Sequence, residues 1–227
     1  MKPYYQDEAV TLYHGDSMEI LPALAGITAI VSDPPYGISL NTNYGTRKRG
    51  SLAVSNDYGE NIKGDTAPFD PRHLLNYPTV VLFGGNHFSD KLPSSPGWLV
   101  WDKLNGLTSK REVGFNDQAD CEMAWTNLKK PARLFSHRWM GLLKDSERDE
   151  SRLHPTQKPV VLMRWVLTST TSQDDIICDP YAGSGATLLA AKDLGRKVIG
   201  IEYEERYCEI IAKRCAQGVL DIFGGVA

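Results

Sequence analysis

Apolar and polar positions alternate along this chain in short blocks. Brief apolar runs, often β-branched and bounded by Gly, Pro, Asn or Asp, predict strands. Longer stretches with apolar positions three or four apart predict helices. The pattern predicts strands over 10–14, 27–32, 79–83, 98–101, 120–126, 175–179 and 197–202, with a short addition over 133–136. Helices are predicted over 17–24, 70–75, 159–169, 185–194 and 204–217. Asp70 followed by Pro71 forms an N-cap with proline in the first turn, and Gly195 and Gly218 follow the last two helices as stops. Strands alternating with helices predict an α/β fold with a mainly parallel sheet, in which the strand over 120–126 pairs antiparallel to its neighbour. Residues 37–70, 104–116 and 137–152 are polar and irregular, and loops of such length in compact domains are usually functional.

Composition adds bounds. At 227 residues, 41% hydrophobic and 23% charged, the chain is expected to be one soluble domain, residues 1–227, with small insertions. A net charge of −3 excludes a wholesale polycationic binder but permits a local basic groove. The four cysteines form no CxxC pair. Cys121 and Cys178 lie in apolar runs and are expected in the core, and Cys208 and Cys215 are spaced to share a helix face. The histidines show no metal-ligand spacing. A reducing, cytoplasmic setting without zinc is therefore expected. Residues 1–7 are too polar for a signal peptide, and no apolar stretch reaches the ~18 residues of a membrane span.

Two segments carry candidate chemistry. Asp33-Pro34-Pro35-Tyr36 ends the predicted strand over 27–32. The prolines fix φ and donate no hydrogen bonds, leaving a rigid turn with a carboxylate, carbonyls and an aromatic ring. Such a turn is either a plain strand stop or a clamp for a flat, polar amine. Asp179-Pro180-Tyr181-Ala182-Gly183-Ser184-Gly185 joins a strand to a helix, where glycines let the backbone turn sharply and approach a ligand. Leu188 stands where a dinucleotide fingerprint has its third glycine, and no GK[ST] follows, so the dinucleotide and P-loop readings weaken. Glu202 ends the next strand, where carboxylates bind ribose hydroxyls in nucleotide-binding folds. Asp179 can meet an ammonium. A ligand with an amino-acid end and a ribose satisfies both acids, and S-adenosylmethionine (SAM) is such a ligand. A tight turn without ligand is the alternative.

These residues resemble the β-class DNA amino-methyltransferases. Asp33-Pro34-Pro35-Tyr36 is similar to their catalytic motif, and 179–185 with Glu202 to their SAM motif. His154-Pro155-Thr156-Gln157-Lys158-Pro159 is similar to the segment preceding that motif, and Gly15-Asp16 and Trp101-Asp102-Lys103 also have counterparts. The motif order matches too, and the likeness spans about residues 10 to 215.

The resemblance implies a Rossmann-like, SAM-dependent methyltransferase fold. Its seven-stranded, mostly parallel sheet would carry helices on both faces and one reversed strand near an edge. The strands ending at Asp33 and Asp179 would be neighbours. It implies transfer of a methyl group from SAM to the N6 amine of adenine in DNA, on a flipped-out base. Asp33, Pro34 and Tyr36 would be catalytic. Asp16, Asp179, Tyr181, Gly183, Gly185, Glu202 and Lys158 would hold SAM, Asp16 near its adenine and Lys158 near its carboxylate. Asp16 as a helix cap and Lys158 as a solvated lysine are the plainer readings. Residues 37–65 and 137–153 are expected to face DNA, carrying Arg47, Lys48, Arg49, His137, Arg138, Lys144, Arg148 and Arg152 with Tyr44, Trp139 and Leu142 interleaved. A homodimer is compatible with the class, and a restriction endonuclease is expected on a separate chain. Asp rather than Ser at 33 favours adenine. The alternatives are N4-cytosine methylation, an RNA substrate, or an inactive SAM- or nucleic-acid-binding module.

Overall fold

The computed structural model describes residues 1–40, 62–105, 119–140, 143–147 and 153–217. Strands β1 (Tyr5–Gln6), β2 (Val10–His14), β3 (Ala29–Ser32), β4 (Thr79–Phe83), β5 (Trp98–Asp102), β6 (Cys121–Thr126), β7 (Arg133–Ser136), β10 (Ile176–Asp179) and β11 (Lys197–Glu202) form one sheet. Its order is β1-β2-β11-β10-β3-β4-β6-β5-β7. The run from β2 to β4 is parallel throughout. β6 is reversed against β4 and β5, and β1 against β2. A separate hairpin pairs β8 (Trp139–Met140) with β9 (Leu143–Lys144).

The alternation of side chains explains the layers. Along β3, Ala29 and Val31 face one side and Ile30 the other; along β4, Val81 and Phe83 oppose Val80 and Leu82. Strands apolar on both faces must be covered on both. One face is covered by α2 (Val160–Thr170), α3 (Ala186–Asp193) and α4 (Glu205–Ala216), which contribute Leu162, Leu188 and Ile211 to a continuous core. The other face carries α1 (Ser17–Ile20) and short 3-10 turns, with Ile20, Leu74 and Phe88 packed beneath them. Cys208 and Cys215 are both buried along α4.

The expected α/β sheet with helices on both faces is present, and details differ, among them the β8–β9 hairpin in a stretch expected to be irregular. Nine strands replace seven, because β1 and β7 extend the two edges. β1 has two residues, too few to show alternation. The helix expected over 17–24 is α1 followed by a 3-10 turn at Leu21–Ala23, where Pro22 has no N–H to continue the α ladder. The turn opened by Asp70 and Pro71 is likewise 3-10, Pro71–Leu74. Cys121 is exposed rather than in the core, since it is the first residue of β6, beyond the covering layers. No helix among the described residues is long and apolar enough to cross a membrane.

Leu188 is fully buried between α3 and the sheet. Leu188→Ala is expected to lower the unfolding free energy by about 2–5 kcal/mol in urea denaturation. A loss below about 1 kcal/mol would contradict the tight packing of that layer.

Candidate active site

The carboxyl ends of β2, β11, β10 and β3 lie side by side. β10 pairs directly with β3, in the register Ile177 to Ala29 and Cys178 to Ile30. The expected adjacency of the strands ending at Asp33 and Asp179 is therefore present. A buried hydrogen bond crosses the pair: Ser32 Oγ donates to Asp179 Oδ1 at 2.6 Å. Thr187 Oγ1 donates to Asp179 Oδ2 at 2.6 Å, and the Tyr181 N–H to Oδ1 at 3.2 Å. Burial pushes Asp179 up to about 6 despite these donors. Asp179 is expected to be able to meet a ligand ammonium. In the structure both of its oxygens serve the protein, tying the glycine loop to β3.

Gly183 and Gly185 have φ of 53° and 82°, the left-handed conformation that side chains disfavour. The Gly183 N–H donates to Glu202 Oε2 at 2.8 Å, and the Glu204 N–H to Oε1 at 2.8 Å. Burial raises Glu202 to about 7, with Glu204 and Asp179 adding to it. Across the loop stands His154, its ring edge-on to Tyr207 at 4.4 Å and about 3.7 Å from where a Cβ on Gly183 would lie. Burial, then Lys158 and Arg206, hold His154 down at about 3, so it is neutral. Asp16 is exposed beyond β2 and caps α1, accepting from the Met18 N–H at 2.8 Å. The adjacent Gly15 N–H donates to the Glu202 carbonyl at 2.9 Å, which keeps Asp16 beside the end of β11. Tyr181 packs edge-on to Phe69, with its hydroxyl 3.2 Å from His73 Nε2.

The turn after β3 holds a chain of charges. Tyr36 Oη donates to Asp33 Oδ1 at 2.5 Å and Lys158 Nζ to Asp33 Oδ2 at 2.6 Å. Lys158 Nζ also lies 2.9 Å from Glu122 Oε2, and Lys103 Nζ donates to Glu122 Oε1 at 2.9 Å. Lys158 is nearly buried, with 7% of its side chain exposed. Burial opposes its charge, but Asp33 and Glu122 overcome this and raise its pKa. Glu122 would be raised by burial, yet its two lysines lower it to about 2. Asp33 has one lysine, and burial with repulsion from Glu122 outweighs it, so Asp33 is raised. The weaker carboxylate of the chain is the one at the turn.

Tyr36 stacks on His87, with ring centroids 4.9 Å apart and planes 15° apart. It also presses on Gly84, where a Cβ would stand 2.0 Å from Tyr36 Cε1, so a side chain at 84 would evict the ring. Beyond Tyr36 the backbone is latched by buried Asp65, which accepts from the N–H groups of Gly37, Ile38 and Leu40 at 2.7, 3.2 and 2.6 Å. Among the described residues no backbone N–H donates to the Pro34 carbonyl.

The structure thus brings Asp33, Tyr36 and Lys158 into contact, and Asp179, Gly183 and Glu202 into a second, adjoining group. Asp16 and Tyr181 lie beside that second group. Lys158 joins the first, not the second where it was expected. Glu122, His87 and Asp65 were missed. Only Glu122 left a signal: an acid near the start of a strand expected to be antiparallel, a direction that carries it to the carboxyl edge.

Residues 96–213, just over half of the chain, match the family model described as DNA methylase. The chain belongs to the DNA methylase family. It is 29% identical over 255 residues to the type II methyltransferase M2.LlaDCHI of Lactococcus lactis subsp. cremoris, covering 96% of this chain and 93% of that one. It is 28% identical over 251 residues to the type II methyltransferase M2.DpnII of Streptococcus pneumoniae, covering 94% and 92%. Two solved structures share its fold. The cytosine-N4-specific PvuII DNA methyltransferase aligns with a TM-score of 0.58 at 18% identity, over 94% of this chain and 88% of that one. The M1.HpyAVI–SAM complex aligns with a TM-score of 0.55 at 24% identity, over 90% and 99%.

The raised Glu202 has a consequence for stability. Between its ordinary value of 4.5 and about 7 the folded methylase holds a proton that the unfolded chain has released. This contribution is complete below about 4.5 and is lost as pH rises through about 7. Chemical denaturation of the ligand-free protein from pH 5 to pH 8 is expected to show a smaller decline in Glu202→Gln than in wild type. Equal declines would contradict the buried, raised Glu202.

Proposed function

We propose that this chain moves the methyl group of SAM to the exocyclic N6 amine of adenine in DNA. The observation that carries the reading is a fixed carboxylate, Asp33, at the end of β3, directly beside the end of β10 where the glycine loop opens. Membership of the DNA methylase family supports methyl transfer, and the likeness to type II methyltransferases supports DNA as substrate.

The residues suit SAM. Glu202 at the end of β11 is available to ribose hydroxyls through the remaining lone pairs of its carboxylate. Asp16, a strand further on, is available to the adenine. Gly183 and Gly185 take the left-handed conformation that turns the loop between β10 and α3, with Tyr181 at its side, and a Cβ on Gly185 would stand 3.0 Å from Ile211. Asp179 shapes that loop from beneath. One neighbour of the same fold, M1.HpyAVI, was solved as a complex with SAM. SAM supplies a methyl group already activated on a sulfonium.

The work left to this chain is to prepare and orient the amine. An exocyclic amine is a poor nucleophile because its lone pair is delocalised into the ring. Asp33 and the Pro34 carbonyl accept its two N–H groups, which draws the nitrogen towards tetrahedral geometry and frees the lone pair. Placement in line with the donor is an orientation effect worth several kcal/mol. Tyr36, its hydroxyl anchored on Asp33, offers its ring to the base. With His87 on one face, the base stacks on the other or takes the place of His87. Such a contact is worth roughly 1–3 kcal/mol. A paired adenine hides its amine, so a duplex substrate requires base flipping.

Residues 37–65 and 137–153 are assigned to DNA. Of the basic side chains in them, Arg138 pairs with Asp145 at 2.9 Å, and the Lys144 ammonium lies 4.7 Å from the centre of the Trp139 ring. Arg47, Lys48, Arg49, Arg148 and Arg152, with Tyr44 and Leu142, lie outside the described residues. Adenine is chosen over cytosine because Asp, not Ser, leads the turn.

Incubation with labelled SAM and DNA, followed by nucleoside analysis, is expected to yield N6-methyladenine. N4-methylcytosine would move the target to cytosine, and absence of label would leave a binding module. Asp33→Ala is expected to lose about 100-fold or more in turnover with donor affinity unchanged by calorimetry. Near-wild-type turnover in that variant would remove Asp33 from the reaction.

A further inference from the structure

Within the protein the Asp33 carboxylate is held by Tyr36 on one oxygen and Lys158 on the other. A lysine bound to Asp33 alone would spend its charge there and compete with an incoming amine. Lys158 does not bind Asp33 alone. Its ammonium also lies 2.9 Å from Glu122 Oε2 and 3.5 Å from Tyr36 Oη. Glu122 is held from its far side by Lys103. We propose that Glu122 is a positioning residue for methyl transfer: it keeps the Lys158 ammonium shared between two carboxylates, so that Asp33 is oriented yet still able to accept from the amine. This inference rests on the methyltransferase reading above.

The topology explains why this residue reaches the site. Glu122 is the second residue of β6 and pairs with Trp101 near the end of β5. Because β6 is reversed, its beginning lies at the sheet edge where the parallel strands end. In a parallel strand the same position would lie at the opposite end of the sheet. The four side chains alternate in sign, from Asp33 through Lys158 and Glu122 to Lys103. A desolvated charge costs several kcal/mol unless an opposite charge is close, and each member here has one within 3 Å. The charged and titratable groups facing Asp33 are Lys158 from the segment before α2, Glu122 from β6, Tyr36 from its own turn and Asp179 from the end of β10. Of these, Glu122 meets Asp33 through the shared Lys158 ammonium and by like-charge repulsion.

The test is kcat against pH for wild type, Glu122→Gln, Glu122→Asp and Lys103→Met, with donor affinity measured alongside. Glu122→Gln leaves Asp33 alone with Lys158. Its acid limb is expected to move to lower pH by about one unit, and its plateau to fall about tenfold as Asp33 is held more tightly. Lys103→Met leaves Glu122 leaning on Lys158 alone, and its acid limb is expected to move to higher pH. Glu122→Asp, which keeps the charge, is expected to restore the wild-type limb, and donor affinity should not change. A Glu122→Gln limb that superimposes on wild type, or two neutralising variants that shift in the same direction, would overturn the proposal. If Glu122→Gln does not fold, an unshifted limb in Lys103→Met overturns it instead. Failure of the wild type to methylate DNA would strike the functional reading itself and is seen before any variant is compared.

Discussion

The site depends on one pairing, that of β3 with β10. These strands are far apart in sequence, and their parallel alignment sets the Asp33–Tyr36 turn beside the glycine loop. Hydroxyl–carboxylate bonds fasten the pair at both ends. Thr28 Oγ1 donates to Asp175 Oδ1 at 2.7 Å just before the strands begin, and Ser32 Oγ to Asp179 Oδ1 at 2.6 Å where they end. Both bonds span 147 residues, so they enforce the same register. A slip of one residue would turn every side chain of β3 to the opposite face and carry Asp33 away from the loop. Both faces of these strands are packed, which makes such a slip costly.

The second constraint is charge in a place with little water. Burial raises Asp33, Asp179 and Glu202 alike, and each is compensated differently. Asp179 receives two hydroxyls and an N–H, and Glu202 two backbone N–H groups. Asp33 receives a phenol and an ammonium. The first two sets are neutral donors that hold a loop in shape. The third includes a full charge, and that charge is divided with Glu122. A full charge therefore meets Asp33, while Asp179 and Glu202 are held by neutral donors.

Much of this was legible in the sequence. The near-continuous apolar, β-branched runs in 27–32 and 79–83 mark buried strands, and the Pro and Gly residues after 33, 83 and 179 mark where strands stop. The adjacency of Asp33 and Asp179 came from the family resemblance, not from the residues themselves. The partner of Lys158 was not legible, because linear spacing does not tell which of two nearby anions a lysine meets. Glu122 left only an indirect signal, the expected direction of β6, which is a property of the sheet rather than of its own neighbours. Asp65 lies in a segment with no periodicity, where an acid that caps backbone N–H groups looks like any other loop acid. The burial of Cys121 was misjudged because an apolar run locates a strand but not which of its ends leaves the core.

The most direct test of the account is a structure of the complex with a non-reactive SAM analogue and a DNA duplex. The account predicts the analogue along the glycine loop, its amino acid and ribose between β10 and β11. It also predicts an adenine turned out of the duplex, its N6 within hydrogen-bond distance of Asp33 and the Pro34 carbonyl and its ring on Tyr36. A target base held elsewhere, with Asp33 bound only to Lys158 and Tyr36, would contradict it.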